Sequence, residues 1–482
     1  MGVNSFSTLL KKYAQNCEYE IPLESLRGKR ISIDTPNLAY IMKSGATKRI
    51  IDSTNLADKK PDVSAINNLT LDMILSRLEV FIQYGITPVC VFDGKHHELK
   101  NYIQEKRKDR KDKIKAKLLK AETDLYNTEP LFRNSILTNE YAKYYKQSIG
   151  ISLEFTQQLK TILSSSGFPV ISAENINTMT NDAEGICASL CIKGNDQCFA
   201  AFTTDSDFHV YGGDLAIVDI YSKYVFKNGV NVSMHFAKIR SLEAILKQMD
   251  IPFESFRDLC ILLGTDFNSN IKGIGPVNSW KLIQQYKTID NIVKVKSLTA
   301  ILAQTHVTFD SFKYLCTLLD TYFNSWELME QYKTLNELAT IDTLVAILTQ
   351  SKIEFESFQN LYTLLGTKFN NEWKFVCQYN TISNVAKIGD ISVLHHTEVT
   401  KMYLSSIIKL NNVVVDFNKF NLKTNAREVL SQYDLQHHIN TIISYVESLT
   451  SSIDTETKIT NTNNTTSLLS NSTETILGEL EL

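Results

Sequence analysis

Acidic residues recur at the ends of apolar runs, or two positions apart, in the N-terminal half of the chain. They are Asp34, Asp93, Asp182, Glu184, Asp205 and Asp207. Clustered carboxylates hold divalent cations such as Mg²⁺, and two such ions about 4 Å apart neutralise the attacking and leaving oxygens when a phosphodiester is hydrolysed. The pattern therefore indicates a metal site, and phosphodiester hydrolysis is the chemistry that such a site could perform.

Each acid taken alone has a simpler explanation. An acid at the start of a helix usually caps that helix, and an Asp after a strand usually forms a turn. The joint pattern is harder to explain in this way. Asp34 and Asp93 each follow a strand-like run, where a parallel sheet carries its functional groups. In extended backbone, Asp205 and Asp207 would point to the same side.

The elements that must position these acids are short apolar runs that alternate with helical segments. The runs cover residues 30–34, 88–93, 198–207 and 215–220, and the helical segments cover residues 69–84, 151–166 and 180–193. Short runs rich in β-branched residues and bounded by turn residues predict strands. Their alternation with helices predicts an α/β fold with a central, mostly parallel sheet flanked by helices.

A strongly basic stretch follows the second run. Residues 95–120 contain eleven Lys or Arg and four Asp or Glu, which predicts a long solvated helix. Residues 121–150 show no clear period, and we expect a mobile segment there.

An internal repeat begins near residue 245. The segment 256–268 recurs at 312–324 and 358–370, and each copy is followed by a Gln-Tyr pair. We expect three helical units, of which the last two are a scaffold or an extension of a DNA-binding surface. The predicted organisation is a nuclease region (1–110), a basic arch (95–150), an internal nuclease region (151–290), a helical extension (291–450) and a disordered tail rich in Thr, Asn and Ser (451–482).

Composition narrows the classes of protein only slightly. The formal net charge is -3, so a nucleic-acid partner must be argued from local clusters of charge. The eight cysteines form no CxxC pair, which favours reduced thiols in an intracellular protein. No apolar run approaches the roughly 18 residues of a transmembrane helix, and we expect no membrane association.

Five motifs resemble, in order, those of the flap endonuclease and XPG-like family of structure-specific 5′-nucleases. They are Gly28-Lys29-Arg30-Ile31-Ser32-Ile33-Asp34, Pro88 through Lys95, Asp182-Ala183-Glu184, Thr203 with Asp205 and Asp207, and Leu263 through Asn268 followed by Gly273-Ile274-Gly275. The resemblance covers residues 1–290. It implies a PIN-like 5′-nuclease fold with a helical arch and a helix–two-turn–helix element, and a 5′-flap endonuclease with 5′–3′ exonuclease activity.

The resemblance also implies site residues. Seven acids would hold two Mg²⁺ ions, for which Mn²⁺ could substitute: Asp34, Asp93, Asp182 and Glu184 in one half, and Asp205, Asp207 and Asp266 in the other. The family usually has Glu at the position of Asp182, so this shorter side chain would reach its metal through water. Lys100 and Arg107, seven residues apart on one helix face, would contact the scissile phosphate.

Further residues would contact DNA. They are Gly2, Tyr40, Lys106, Arg110, Gly273 and Gly275. Tyr40 would stack on a base, although a core position explains an aromatic there equally well. The glycine turn would approach a duplex phosphate, with K⁺ bound beside it.

Two other functions are compatible with the same resemblance. One is a Holliday-junction or bubble-type nuclease, and the other is a non-catalytic DNA-binding scaffold. The expected partner is branched or nicked DNA with a 5′ end. The nearest match to a sliding-clamp box, at Gln436 with Ile439, Ile442 and Ile443, lacks its aromatics. The lack of a complete clamp-binding box, together with the repeats, suggests a divergent homologue such as one from a large DNA virus. We expect an intracellular protein, located in the nucleus or, if viral, at a cytoplasmic replication site.

Overall fold

A computed structural model of the chain describes residues 2–94, 98–173, 182–192, 197–227, 230–271, 273–323, 342–369, 398–403 and 426–444. This part of the chain is built around a seven-stranded sheet. The strands are β1 (Glu18–Pro22), β2 (Arg30–Asp34), β3 (Thr87–Phe92), β4 (Val170–Ser172), β5 (Ala200–Phe202), β6 (Leu215–Lys227) and β7 (Val230–Ser241). Their order across the sheet is β1-β7-β6-β5-β2-β3-β4.

The sheet is mostly parallel, as predicted. The five strands from β6 to β4 are parallel to their neighbours, and β7 pairs antiparallel with both β6 and β1. Two predicted strand bounds are wrong. The run 198–207 contains only the short β5, and the run 215–220 continues as β6 because it pairs with β7 in a long antiparallel ribbon. Strands β1, β4 and β7 were not predicted.

Helices cover both faces of the sheet. They are α1 (Phe6–Tyr13), α2 (Thr35–Ser53), α3 (Val63–Gln83), α4 (Asn101–Asn127), α5 (Ser135–Gln147), α6 (Leu153–Ser165), α7 (Ala183–Leu190), α8 (Asp207–Val210), α9 (Leu242–Met249), α10 (Phe253–Leu263), α11 (Pro276–Tyr286), α12 (Ile289–Gln304), α13 (Phe309–Phe323), α14 (Asp342–Ser351), α15 (Phe355–Phe369) and α16 (Ala426–Gln432). No helix in the described ranges has both the length and the apolar character needed to cross a bilayer.

Strand β3 shows how the sheet divides the core. Val89 and Val91 belong to one buried cluster, with residues of α1, α7 and α10, whereas Cys90 and Phe92 belong to a second, with residues of α2, α3 and α6. Successive side chains of a strand point to opposite faces, so both faces of this sheet are covered. The α/β prediction is therefore confirmed.

The basic stretch forms α4, as predicted, but residues 121–150 are not without regular structure. Helix α4 continues to Asn127, and α5 packs against it. Tyr141 of α5 lies in a small buried cluster with Leu125, and with Ile51 from the end of α2. Leu137, Tyr141 and Tyr145 recur every four residues, the spacing of one helix face, and this period was missed.

The three repeated segments are helices, as predicted: α10, α13 and α15. Phe256, Phe312 and Phe358 hold equivalent positions in these helices, and all three are fully buried in one continuous cluster that also includes strand β3. The later units therefore share a core with the sheet. The Gln-Tyr pairs of the second and third copies lie outside the described residues, as does the tail 451–482.

Candidate metal centre and DNA interface

The first two acids act both as caps and as members of the site. Asp34 ends β2 and is the N-cap of α2, where one carboxylate oxygen accepts the Asn37 N–H at 3.2 Å. Its other oxygen accepts the Thr203 hydroxyl at 2.8 Å. Asp93, just after β3, accepts the backbone N–H of Ala183, the first residue of α7, at 2.8 Å. Capping therefore holds both carboxylates at the same edge of the sheet.

Asp182 stands at the N-cap position of α7, but its side chain makes no capping bond. One carboxylate oxygen lies 2.7 Å from Lys100 Nζ, and the other accepts the Tyr211 hydroxyl at 3.1 Å. The simpler explanation of this acid as a helix cap is therefore wrong. Glu184 lies one residue into the first turn of the same helix.

Asp205 and Asp207 are not in extended backbone, and the prediction that they point to one side of a strand is wrong. Strand β5 ends at Phe202, and Asp207 is the first residue of α8. The Asp205 carboxylate accepts the Asp207 N–H at 3.2 Å, so a local side-chain turn replaces the strand. Both acids are nevertheless buried at the site.

The seventh acid is presented by a turn that ends α10. Gly264 has φ of 92°, and its carbonyl accepts the Asn4 N–H at 2.9 Å. Asn268 donates to the Ile261 carbonyl at 2.8 Å and accepts the Thr265 hydroxyl at 2.8 Å. These bonds place Asp266 beside α8, and its N–H lies 3.4 Å from an Asp207 oxygen.

Gly2 passes directly over the acids. Its φ is +83°, and a Cβ added there would lie 2.1 Å from the Asp205 carboxylate. The Val3 N–H donates to the Ser206 hydroxyl at 2.8 Å, which holds the loop in place. No larger residue fits at this position without moving the acids.

Crowding of buried carboxylates raises their pKa values. Burial, then the charges of Asp93 and Asp205, raise the pKa of Asp34 to about 7. Burial, followed by neighbouring carboxylates, raises the pKa of Glu184 and of Asp207 well above the ordinary range. Burial also raises the pKa of Asp182, although Lys100 opposes the shift. The cluster thus concentrates negative charge that a cation would neutralise.

The donor set fits divalent metal ions. All of the predicted ligands are hard carboxylate oxygens, the type that Mg²⁺ prefers. One oxygen of Asp207 is fully buried and has no hydrogen-bond partner in the described part of the chain, an arrangement that a bound cation would satisfy. No three of the described acids here bring their ligand atoms within 4.8 Å of one another. Mg²⁺ is usually held by one or two carboxylates and keeps several waters, so a looser ring of acids suits it.

Lys100, at the N-cap position of α4, and Arg107, within that helix, both reach the acids. Lys100 is mostly buried and pairs with Asp182, while Arg107 Nη2 lies 2.6 Å from Asp266. Burial opposes the charge of Lys100, but Asp182, Glu184 and Asp266 together raise its pKa above the ordinary range. Two fixed positive charges therefore stand at the rim of a negative cluster.

The remaining predicted DNA contacts have exposed side chains or open backbone. Tyr40 is 46% exposed, so the alternative of a core position is wrong. Lys106 and Arg110 are exposed on α4. Gly273 has φ of +87° and Gly275 is the N-cap of α11, and a Cβ at either position would meet no atom within 4 Å. The backbone of this turn is therefore open to a ligand.

Three residues at the site were not predicted from the sequence. The Tyr211 hydroxyl donates a hydrogen bond to Asp182. The Thr203 hydroxyl donates to Asp34 and accepts the Asp205 N–H at 3.0 Å, so it links these two acids. Tyr403 packs edge-on against Tyr211 and Phe267, with ring centroids 4.8 and 5.5 Å away. Thr203 lies within a quoted motif, and Tyr211 stands one helical turn after Asp207. Tyr403 is distant in sequence and had no such signal.

Comparison with known proteins agrees with this geometry. The XPG N-terminal domain model matches residues 1–114, and the XPG I-region model matches residues 167–266. These two ranges contain all seven acids, of which Asp266 is the last residue matched.

Flap endonuclease 1 of Entamoeba dispar is 32% identical over 300 residues, which cover 61% of this chain and 70% of that protein. Flap endonuclease 1 of Sulfolobus acidocaldarius is 30% identical over 289 residues, covering 59% and 75%. The solved catalytic core of Rad2 in complex with DNA substrate gives a TM-score of 0.40 at 19% identity, over 90% of this chain and 100% of that one.

The fold and the acid-rich edge agree with these matches, which support an enzyme of the structure-specific nuclease class, a group of DNA-binding hydrolases. Within that class, the chain belongs to the flap endonuclease and XPG-like family.

Proposed function

We propose that the protein is a 5′-flap endonuclease with 5′–3′ exonuclease activity that hydrolyses DNA phosphodiesters by a two-metal-ion mechanism, in replication, repair or recombination. The observation that carries the proposal is the convergence of acids from five separate segments with Lys100 and Arg107 at one sheet edge. The similarity to proteins named flap endonuclease 1 supports the choice of flap DNA as substrate.

The acids would hold the metals in two overlapping groups. Asp34, Asp93 and Glu184 would form one group and Asp207 with Asp266 the other, while the charge of Asp205 acts on Asp34, Glu184 and Asp207. Two Mg²⁺ ions, or Mn²⁺ in their place, would neutralise the charge on the phosphate and on the entering and leaving oxygens. Asp182 differs, because both of its oxygens are already engaged by Lys100 and Tyr211.

Lys100 and Arg107 would bind the scissile phosphate. Each of the two cations is paired with a carboxylate, Lys100 with Asp182 and Arg107 with Asp266. A phosphate bound beside the acids would replace the carboxylate as the partner of each cation. Donors held in place before the reaction stabilise developing charge most effectively. Lys100→Gln should lower the single-turnover cleavage rate by roughly 100- to 1000-fold. Lys120→Gln, at an exposed position of the same helix, is the matched control and should leave the rate unchanged.

The open turn at Gly273–Gly275 would bind the duplex beside the cut. Its exposed backbone precedes α11, and the N-terminus of a helix attracts phosphate. K⁺ bound at this turn would add a further positive charge. Tyr40, exposed six residues after Asp34, would stack on a base.

A panel of DNA substrates tests the proposal against its alternatives. Wild-type protein and the Asp207→Asn variant are compared in Mg²⁺ on a 5′ flap, a nicked duplex, a bubble and a four-way junction of the same sequence. We expect cleavage of the flap and the nick by the wild type only. Faster cleavage of the junction or the bubble would favour the other nuclease activity, and binding of DNA without any cut would favour the scaffold.

A further inference from the structure

A second group of metal-binding side chains lies outside the acid site. Asp72 and Glu79 are seven residues apart in α3 and so share one face of that helix. His437 and His438 lie in a 3₁₀ turn (Gln436–His438) that follows α16. The two histidines are thus brought from the C-terminal part of the chain onto a helix of the nuclease core.

The ligand atoms converge on one point. Asp72 Oδ1 lies 2.7 Å from His437 Nε2 and 3.2 Å from His438 Nε2. All three atoms lie within 4.8 Å of one another, the one set of three that does so in the described part of the chain. Zinc bonds of about 2.0–2.2 Å in a tetrahedral site place neighbouring ligand atoms roughly 3.3 Å apart, so little adjustment would be needed.

Glu79 completes the arrangement from behind. Its Oε1 lies 2.9 Å from Nδ1 of His438, whose side chain is only 2% exposed. The contact is an ion pair, since Glu79 Oε1 has no aligned hydrogen-bond partner in the described part of the chain. Metal-binding histidines almost always have a carboxylate, a carbonyl or a water beside their other ring nitrogen. Here the nitrogen that remains, Nε2, is the one that faces Asp72.

We propose that Asp72, His437 and His438 bind one transition-metal ion of the Zn²⁺ type, oriented by Glu79, with the fourth position open to water. Two imidazoles and one carboxylate favour Zn²⁺ over Mg²⁺, which takes oxygen ligands. His437 is largely exposed and provides a path for the ion.

The ion would fasten the C-terminal segment to the core. Leu430, Leu435, Ile439 and Ile442 flank the histidines and are buried in the same cluster as α3 and α6. A bound ion would therefore stabilise the folded chain by mass action. This proposal does not rest on the proposed nuclease function.

Calorimetric titration of the full chain with Zn²⁺, in excess Mg²⁺ and at about pH 8, above the ordinary pKa of a free imidazole, tests the site. The variants are His437→Gln and Asp72→Asn, and His306→Asn, which removes an exposed histidine elsewhere, is the matched control. Zn²⁺ bound at the acid site would contribute equally to every protein compared, so differences between them report the histidine site.

We expect one Zn²⁺ bound by the wild type and the control, together with a rise in melting temperature. Glu79→Gln, which removes only the outer partner, should lower the Zn²⁺ affinity by roughly 10- to 100-fold. His437→Gln and Asp72→Asn, which remove ligands, should lower the affinity by more than that. Equal Zn²⁺ affinity and equal melting shifts in the wild type and the ligand variants would overturn the proposal and leave simple Asp–His ion pairs.

Discussion

The first repeated unit and the two later units differ in where their helices end. Helix α10 stops at Leu263, whereas α13 and α15 continue four residues past the equivalent positions, to Phe323 and Phe369. The third unit also has a glycine, Gly366, at the position of Gly264, yet its helix runs through it. A glycine alone therefore does not end the helix.

Contacts from the rest of the fold make the difference. In the first unit, the Asn4 N–H binds the Gly264 carbonyl, and the Asp266 N–H approaches Asp207. These contacts stabilise the turn that carries Asp266. The second and third units have Tyr322 and Lys368 at the position of Asp266. Similar segments thus give one unit that contributes to the site and two that extend the core.

The largest expected effect comes from removing the acid that only the first unit supplies. Asp266→Asn should lower the rate of flap cleavage by on the order of 100- to 1000-fold, because a preorganised charge at the reaction centre is lost. Single-turnover kinetics measure the effect. Asp310→Asn removes an exposed acid of the second unit and should leave the rate unchanged. A similar loss in both variants would contradict the assignment of the site to the first unit.

The acid site should also make stability depend on pH. Burial and the neighbouring charges raise the pKa of Asp34 from 3.8 to about 7, so the folded chain binds more protons than the unfolded chain between these values. The contribution of Asp34 to stability in a metal chelator should therefore be fully present at about pH 4 and below, and it should be lost as the pH rises through 7, by at most about 4 kcal/mol.

Thermal unfolding of the wild type and the Asp34→Asn variant between pH 5 and about pH 8 measures this dependence. The variant should be the more stable of the two at the higher pH. A steeper loss of stability in Asp34→Asn than in the wild type would show that crowding of the acids is not the cause.

Gly264→Ala should unfold more easily than the wild type. The added Cβ would lie 2.7 Å from the Asn270 nitrogen and 2.7 Å from Asn4 Nδ2, at a φ of +92°. Strain of this kind costs about 1–3 kcal/mol before the collisions are counted. Chemical denaturation measures the free energy of unfolding. An unchanged value would mean that the turn relaxes freely.

Gly366→Ala is the matched substitution in the third unit and should have the smallest effect, of opposite sign. Because Gly366 lies within α15, alanine should stabilise the helix by about 1 kcal/mol or less. The same denaturation experiment applies. Destabilisation comparable to that of Gly264→Ala would show that the two glycines are equivalent after all.

The sequence predicted those parts of the fold and site that depend on local pattern. Apolar runs that end in Asp34 and Asp93 marked two central strands, and acids with short spacing marked the site. The turn at Asp205 and Asp207 was missed because a side-chain hydrogen bond overrides the strand pattern. Tyr403 could not be predicted, because its contact with Phe267 joins segments far apart in sequence.

The rate of 5′-flap cleavage as a function of Mg²⁺ concentration tests the central claim most directly. Wild-type protein and Asp207→Asn are compared, since Asp207 has the buried oxygen without a hydrogen-bond partner in the described part of the chain. We expect the wild-type rate to rise with Mg²⁺ and to vanish in chelator, and the variant to bind the flap but cut it at least about 100-fold more slowly. Cleavage by the wild type in chelator, or equal rates for the two proteins, would contradict the account.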